Sequence, residues 1–207
     1  MITAGDDWKI FPREGLGQLK FGMSPAEVDH WSKTYGAIAG RGSDRASDKL
    51  LKDTLEQFGG AMSDEEKQAF IAAYAQVGPS SDSVTETRGN PGLILRYEAE
   101  RLVEIMPAIG QRPIFLDGVD LLAVGALEAL AVLERLNGRP GRYANTEAAF
   151  DELAISTDGF CVTEKAAGVR TLSDGDERFQ GRTVILREKP YLPEEEMERF
   201  IVHSVLE

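Results

Sequence analysis

The chain has 207 residues, of which 35 are acidic and 23 basic, so its formal net charge at pH 7 is −12. Hydrophobic residues at 42% and charged residues at 28% are typical of a globular protein and exclude a wholly disordered or fibrous chain. No apolar run approaches the roughly 18 residues that a membrane-spanning helix needs, and an acidic surface repels phosphate, so we expect neither a membrane nor a nucleic-acid partner.

The first predicted element is a helix over residues 22–36. Ser24, followed three residues later by Glu27, forms a capping box, the usual start signal of a helix. Apolar side chains then recur at helical spacing along one side: Val28, Trp31 and Tyr35.

A helical hairpin is predicted next, over residues 44–78. A second capping box, Ser63 with Glu66, marks the start of its second helix, and Gly78 ends it. The stretch 79–92 has almost no apolar residue, which predicts an exposed loop.

The second half of the chain alternates strands with one strong helix. That helix is predicted over residues 124–137, with a broad apolar face made of Leu127, Leu130, Leu133, Leu136 and Val132. Asp158-Gly159 is a favoured tight-turn pair and predicts a hairpin between the runs on either side of it. An acidic first turn predicts a last helix over 193–206. The runs with strand character are 93–98, 101–107, 113–118, 152–156, 160–164 and 182–188.

This order of elements predicts an α+β fold of two helix-plus-three-strand units with antiparallel sheets. The first unit is placed at residues 1–112, with the helical hairpin 44–78 as an insertion, and the second at 113–207, ending in a helix. The two units could share one core or form one longer sheet.

A weak similarity between the sequences of the two halves supports a duplication. Eleven positions separate Phe11 from Gly22 in the first half, and ten separate Phe115 from Gly125 in the second. In both halves an isoleucine precedes the phenylalanine, and a predicted helix follows the glycine.

The segment GLGQLKFGMSPAEV, residues 15–28, resembles the pattern Gly-x-Gly-x-Leu-x-x-Gly-Met-Ser/Thr-x-x-Glu-Val of small bacterial α+β proteins. One such group is the SmpA/BamE-like lipoproteins of outer-membrane assembly. Another is a set of soluble bacterial proteins with two such units, many of them described as toxin-immunity proteins. The resemblance implies a helix packed on a small antiparallel sheet and a role in binding another protein. The motif itself specifies a helix start and not an active site.

Residues suited to catalysis or metal binding are few. The histidines, His30 and His203, have no metal-ligand spacing, and Cys161 lies between apolar residues of a predicted strand, which favours a buried thiol. Residues 173–177 bring three carboxylates together without the spacing of a calcium loop, which favours a solvated turn. We therefore expect no catalytic residue, no metal, no cofactor and no enzymatic activity.

The N-terminus has no basic segment followed by an apolar one, the pattern of a secretory signal. A single cysteine also excludes an intrachain disulfide. Together these features predict a cytoplasmic protein.

The leading hypothesis is an immunity protein that neutralises a cognate toxin with a basic surface. An acidic inhibitor is attracted towards a basic active site and can cap it. Residues 91–207 hold 13 basic and 21 acidic groups, a net charge of −8, so the interface is expected there first. The predicted partner-binding residues are Asp174, Asp176 and Glu177, with Asp82 and Glu86 in the predicted loop as a second place.

Two alternatives remain open at this point. The first is a scaffold or chaperone-like accessory of a secretion or envelope pathway, which the BamE-like resemblance suggests. The second is an enzyme of unrecognised type, which would show a pocket with convergent polar groups.

Overall fold

The computed structural model describes residues 6–43, 63, 65–68, 83–89, 92–107, 113–164, 168–192 and 194–206. The chain begins with a small antiparallel sheet of the strands β1 (Ile10–Phe11), β2 (Gly15–Leu16) and β3 (Leu19–Lys20). Next come the helices α1 (Pro25–Asp29) and α2 (Ser32–Tyr35). The strands that follow are β4 (Ile38–Ser43), β5 (Ser83–Gly89), β6 (Gly92–Glu98) and β7 (Arg101–Pro107).

The second half opens with a hairpin of β8 (Phe115–Leu116) and β9 (Val119–Asp120), followed by α3 (Ala126–Asn137). Five strands then follow: β10 (Gly141–Ala144), β11 (Glu147–Phe150), β12 (Ile155–Asp158), β13 (Cys161–Glu164) and β14 (Gly168–Thr171). The last elements are α4 (Glu177–Gln180), β15 (Thr183–Arg187), a 3-10 helix (Glu194–Arg199) and β16 (Ile201–His203). Within the described residues, no helix has the length and apolar character needed to cross a membrane.

The prediction of an α+β fold of two helix-plus-three-strand units was wrong, because the described part of the chain is mainly β-sheet with a few short helices. In the described part of the chain, nine antiparallel strands from both halves form one sheet, in the order β16-β10-β11-β12-β15-β7-β6-β5-β4. The halves join where β15 pairs with β7, with Leu186 opposite Ile105 and Arg187 opposite Glu104. The physical reason is that two separate sheets would each end in a strand with unpaired backbone groups along one side. Pairing β15 with β7 satisfies the backbone groups of both strands.

The predicted loop 79–92 was also wrong, because β5 occupies half of it. This strand pairs with β4 on one side and β6 on the other. It carries few apolar residues because Glu86 and Arg88 point inward and bind each other there. A buried strand whose inward side chains are polar and bind each other has no alternation of apolar and polar residues. A hydrophobicity pattern therefore does not predict it.

Two further predictions failed because of strand pairing. The segments around Gly159 do not form a hairpin, since β12 pairs with β11 and β15, whereas β13 pairs with β14. The predicted helix 193–206 is a 3-10 helix followed by β16, which pairs with β10 at the end of the sheet.

The two helical predictions of the first half had different outcomes. The expected helix 22–36 is divided between α1 and α2, where the Ser32 hydroxyl donates to the Asp29 carbonyl at 2.6 Å and competes with helical hydrogen bonding. Most of the predicted helical hairpin 44–78 lies outside the described residues, but Ser63 and Glu66 do form their capping box.

One face of the sheet carries the core. The α3 helix packs on this face, with Leu130 and Leu133 fully buried. Because strand side chains alternate between faces, the strands contribute every second residue to the same core. These buried residues include Leu95, Ile105, Phe150, Ile155 and Leu186.

Candidate functional site

A groove of about 570 Å³ runs between the outer side of α3 and the segment that leads from β14 into α4. Its floor includes the buried side chains of Leu172 and Phe179. On the α3 side lies Leu127, a residue that is 54% exposed. The groove therefore presents apolar surface to the solvent along a rigid helix.

The wall opposite α3 is held in place by the packing of Phe179. Its ring meets Phe160 edge to face at 6.1 Å between centroids, and the guanidinium of Arg182 lies 4.0 Å from the Phe179 ring centroid. Arg182 also donates to the backbone carbonyl of Leu122. These contacts fix α4 against the neighbouring structure, so this wall of the groove is preformed.

Acidic side chains stand at the rim of the groove. Glu128 lines it from the first turn of α3, and the exposed Asp174 lines it from the opposite wall. Glu177 is exposed at the start of α4, three residues after Asp174. Arg135 also lines the groove and is exposed, about two turns further along α3. An apolar floor with an acidic rim suits a partner that carries both apolar and basic groups.

Asp176 has a different role from its neighbours. Its carboxylate accepts from the Arg178 backbone N–H at 2.9 Å and binds the Arg178 guanidinium at 2.6 Å. These hydrogen bonds with Arg178 lower the pKa of Asp176 to about 2. Asp176 thus caps α4 and positions the wall of the groove, while Arg178 offsets its charge.

The second predicted binding place does not form a surface site. Asp82 lies outside the described residues, and Glu86 has no exposed surface. The alternation of β5 places Glu86 inward, against Arg88. Asp174 and Glu177 are therefore the predicted residues that the structure leaves exposed near one concave surface.

The residues considered for chemistry lie apart. His30 is exposed at the end of α1, and His203 lies in β16 with its ring 6.0 Å from that of Tyr143. Cys161 is fully buried in β13, and burial raises the pKa of its thiol to about 12. Among the described residues, no group of three or more His, Cys, Asp or Glu side chains is placed to hold a metal ion.

Cys161 should resist a thiol reagent such as 5,5′-dithiobis-(2-nitrobenzoate) at pH 8 while the protein is folded. A protonated, buried thiol is a poor nucleophile, because the thiolate is the reacting form. In denaturant, one thiol per chain should react within minutes. Fast reaction of the native protein would contradict the buried position.

Sequence reasoning missed the apolar part of the groove. The spacing assigned Leu127 and Leu136 to the packed face of the helix, yet they are 54% and 41% exposed. At about 100° per residue, both lie on the flanks of the buried stripe that contains Leu130 and Leu133. In comparisons with known proteins, no protein-family model, no curated protein and no solved structure matches the chain.

Proposed function

We propose that this protein is a cytoplasmic immunity protein that neutralises a cognate toxin by binding it at the groove beside α3. The observation that carries the proposal is the exposure of Leu127 within a groove that Glu128 and Asp174 border. Complete burial of a leucine side chain stabilises a complex by roughly 1.5–3 kcal/mol, and about half of that remains to be gained at a half-exposed leucine.

The charge of the protein favours a basic partner. A net charge of −12 creates a field that attracts a cationic protein over a distance comparable to the Debye length. Such attraction acts mainly on the association rate, while the apolar contact in the groove slows dissociation. A toxin that acts on nucleic acid has a basic active site, and an acidic protein seated over it blocks the substrate.

The direct test is co-expression with the product of the adjacent gene. We expect that product to stop growth when expressed alone, and this protein to restore growth and to form a complex with it. A harmless neighbour, or a lethal one that is neither bound nor neutralised, would contradict the proposal.

Reversing two charges at the rim should slow association with the toxin. The double variant Asp174→Lys/Glu177→Lys changes the net charge by four units close to the groove. The matched control Glu100→Lys/Glu188→Lys makes the same change at exposed positions elsewhere. At low salt we expect the groove variant to associate about tenfold more slowly than the control, and the difference to shrink as ionic strength rises.

The apolar contact has its own variant. Leu127→Ala keeps a good helix former at an exposed position, so the fold should be retained. It should speed dissociation and leave the association rate nearly unchanged. Surface plasmon resonance separates the two rates, and equal dissociation rates for Leu127→Ala and the parent would place the interface elsewhere.

A further inference from the structure

The strand β14 has one edge without a partner strand within the described residues. It pairs with β13 on its other side, and the two strands form a separate two-stranded sheet. An unpaired edge presents a row of backbone N–H and C=O groups that can pair with a further strand. The last residue of β14, Thr171, also lines the groove beside α3, and the chain from there to Asp174 forms one wall of that groove. The free edge and the groove are therefore continuous.

The register of the two strands identifies the backbone groups on the free edge. Leu172 N–H donates to the Phe160 carbonyl at 2.9 Å, so these residues form a hydrogen-bonded pair just beyond the ends of the strands. Hydrogen-bonded and non-hydrogen-bonded pairs alternate along an antiparallel pair of strands. Thr171 and Val169 therefore belong to non-hydrogen-bonded pairs, and their N–H and C=O groups point away from β13.

The far side of β13 agrees with this assignment. Thr163, which lies opposite Val169, donates its outward N–H to the Asn145 carbonyl at 2.7 Å. Within the described residues, Val169 and Thr171 have no such backbone partner for their own outward groups. Both residues are partly exposed, so a partner strand can reach these groups.

A strand beside β14 would have different surroundings on its two faces, because strand side chains alternate between faces. One set of side chains faces the apolar floor of Leu172 and Phe179, with the exposed Leu127 on the opposite wall. The other set faces the solvent and the carboxylates of Glu128 and Asp174 at the rim. This setting favours a segment in which apolar residues alternate with basic ones.

The free edge of β14 distinguishes an extended segment from a helix. The backbone groups of a helix are already bonded to each other, so a helix seated in the groove leaves Val169 and Thr171 unpaired. An extended segment satisfies these groups, as in complexes where a peptide adds a strand to an exposed sheet edge.

We propose that the toxin is held by strand addition. An extended segment of the toxin, with apolar and basic residues in alternation, pairs with β14 and enters the groove beside α3. This binding mode rests on the proposed function, because the toxin supplies the segment. The acidic rim of a protein with a net charge of −12 favours basic side chains in that segment and disfavours acidic ones.

The test is hydrogen exchange, followed by NMR, on the full chain alone and in complex with the product of the adjacent gene. We expect the amides of Val169 and Thr171 to exchange at least about tenfold more slowly in the complex, because they become hydrogen-bonded. A partner seated in the groove without strand pairing should slow only the first-turn amides of α3 at Leu127 and Glu128, which accept no bond partner within the described residues.

The outcomes separate this binding mode from the proposed function. A complex in which Val169 and Thr171 exchange as they do in the free protein overturns strand addition and leaves neutralisation of the toxin intact. Absence of a complex overturns the proposed function, and strand addition with it.

Two substitutions of Thr171 measure the backbone contact in the same complex. Thr171→Pro removes the outward N–H and retains the hydrogen bonds to β13, and proline is tolerated at such an edge position. The matched control Thr171→Val keeps the N–H and the β-branched shape. We expect Thr171→Pro to weaken the complex about tenfold and Thr171→Val to bind within about twofold of the parent. Equal affinities of the two variants overturn strand addition, and if Thr171→Pro does not fold, the exchange rates of the parent decide.

Discussion

Replacing Arg88 by methionine should lower the free energy of unfolding by about 3–5 kcal/mol, because it leaves the charge of Glu86 buried without its partner. The Arg88 and Glu86 side chains are both 0% exposed, and Arg88 Nε donates to Glu86 Oε1. Arg88 Nη1 also reaches the Ser32 hydroxyl at 3.1 Å and Asp29 Oδ1 at 3.3 Å. A single side chain thus ties β5 to both α1 and α2.

Chemical denaturation of three variants measures this effect. The double variant Glu86→Gln/Arg88→Met removes both charges and should be more stable than Arg88→Met alone. Arg170→Met breaks an exposed pair with Glu164 and should cost less than about 1 kcal/mol. If Arg88→Met costs no more than Arg170→Met, the buried pair does not have the role assigned to it.

Replacing Gly15 by alanine should cost about 3–5 kcal/mol, because a strained backbone conformation and a steric clash each cost about 1–3 kcal/mol. Gly15 has a φ of +145°, and a Cβ there would lie 1.9 Å from the Leu19 carbonyl oxygen. That oxygen belongs to the paired backbone of β2 and β3, so it cannot move without breaking the small sheet.

Gly22 provides the matched control within the same motif. Its φ is +84°, but among the described residues no atom lies within 4 Å of the position that a Cβ would occupy. Gly22→Ala therefore measures the backbone conformation alone and should cost about 1–2 kcal/mol. Equal losses of stability in the two variants, measured by denaturation, would contradict the steric role of Gly15.

These glycines show how far the motif at residues 15–28 could be interpreted from sequence. The capping box of Ser24 and Glu27 is confirmed, with the Ser24 N–H donating to the Glu27 carboxylate at 2.8 Å. The motif was expected to build structure, and Gly15 lies where only glycine fits. That this protein is related to the bacterial proteins with a similar motif stays a prediction.

The candidate site could be predicted only in part. Asp174 lines the groove, and its predicted role in binding a partner stays a prediction. Leu127 was assigned to the core, because spacing shows which residues share a side of a helix but not how wide a strip its neighbours cover. The cluster of Arg96, Glu104 and Arg187 on the other face of the sheet was not expected, since these residues are brought together by pairing between strands of the two halves.

The sequence by itself determined the elements whose signals act within a few residues: the capping boxes, α3 and the strands β6, β7 and β15. Capping and helical packing depend on groups three or four positions apart, so they can be deduced from a short window. Only the tertiary structure decided that β5 is a strand, that β16 replaces a helix and that one sheet joins both halves. Those outcomes depend on the pairing of backbone groups between strands, and the pairing that joins the halves links β15 to β7, where Arg187 lies opposite Glu104 at a separation of 83 positions.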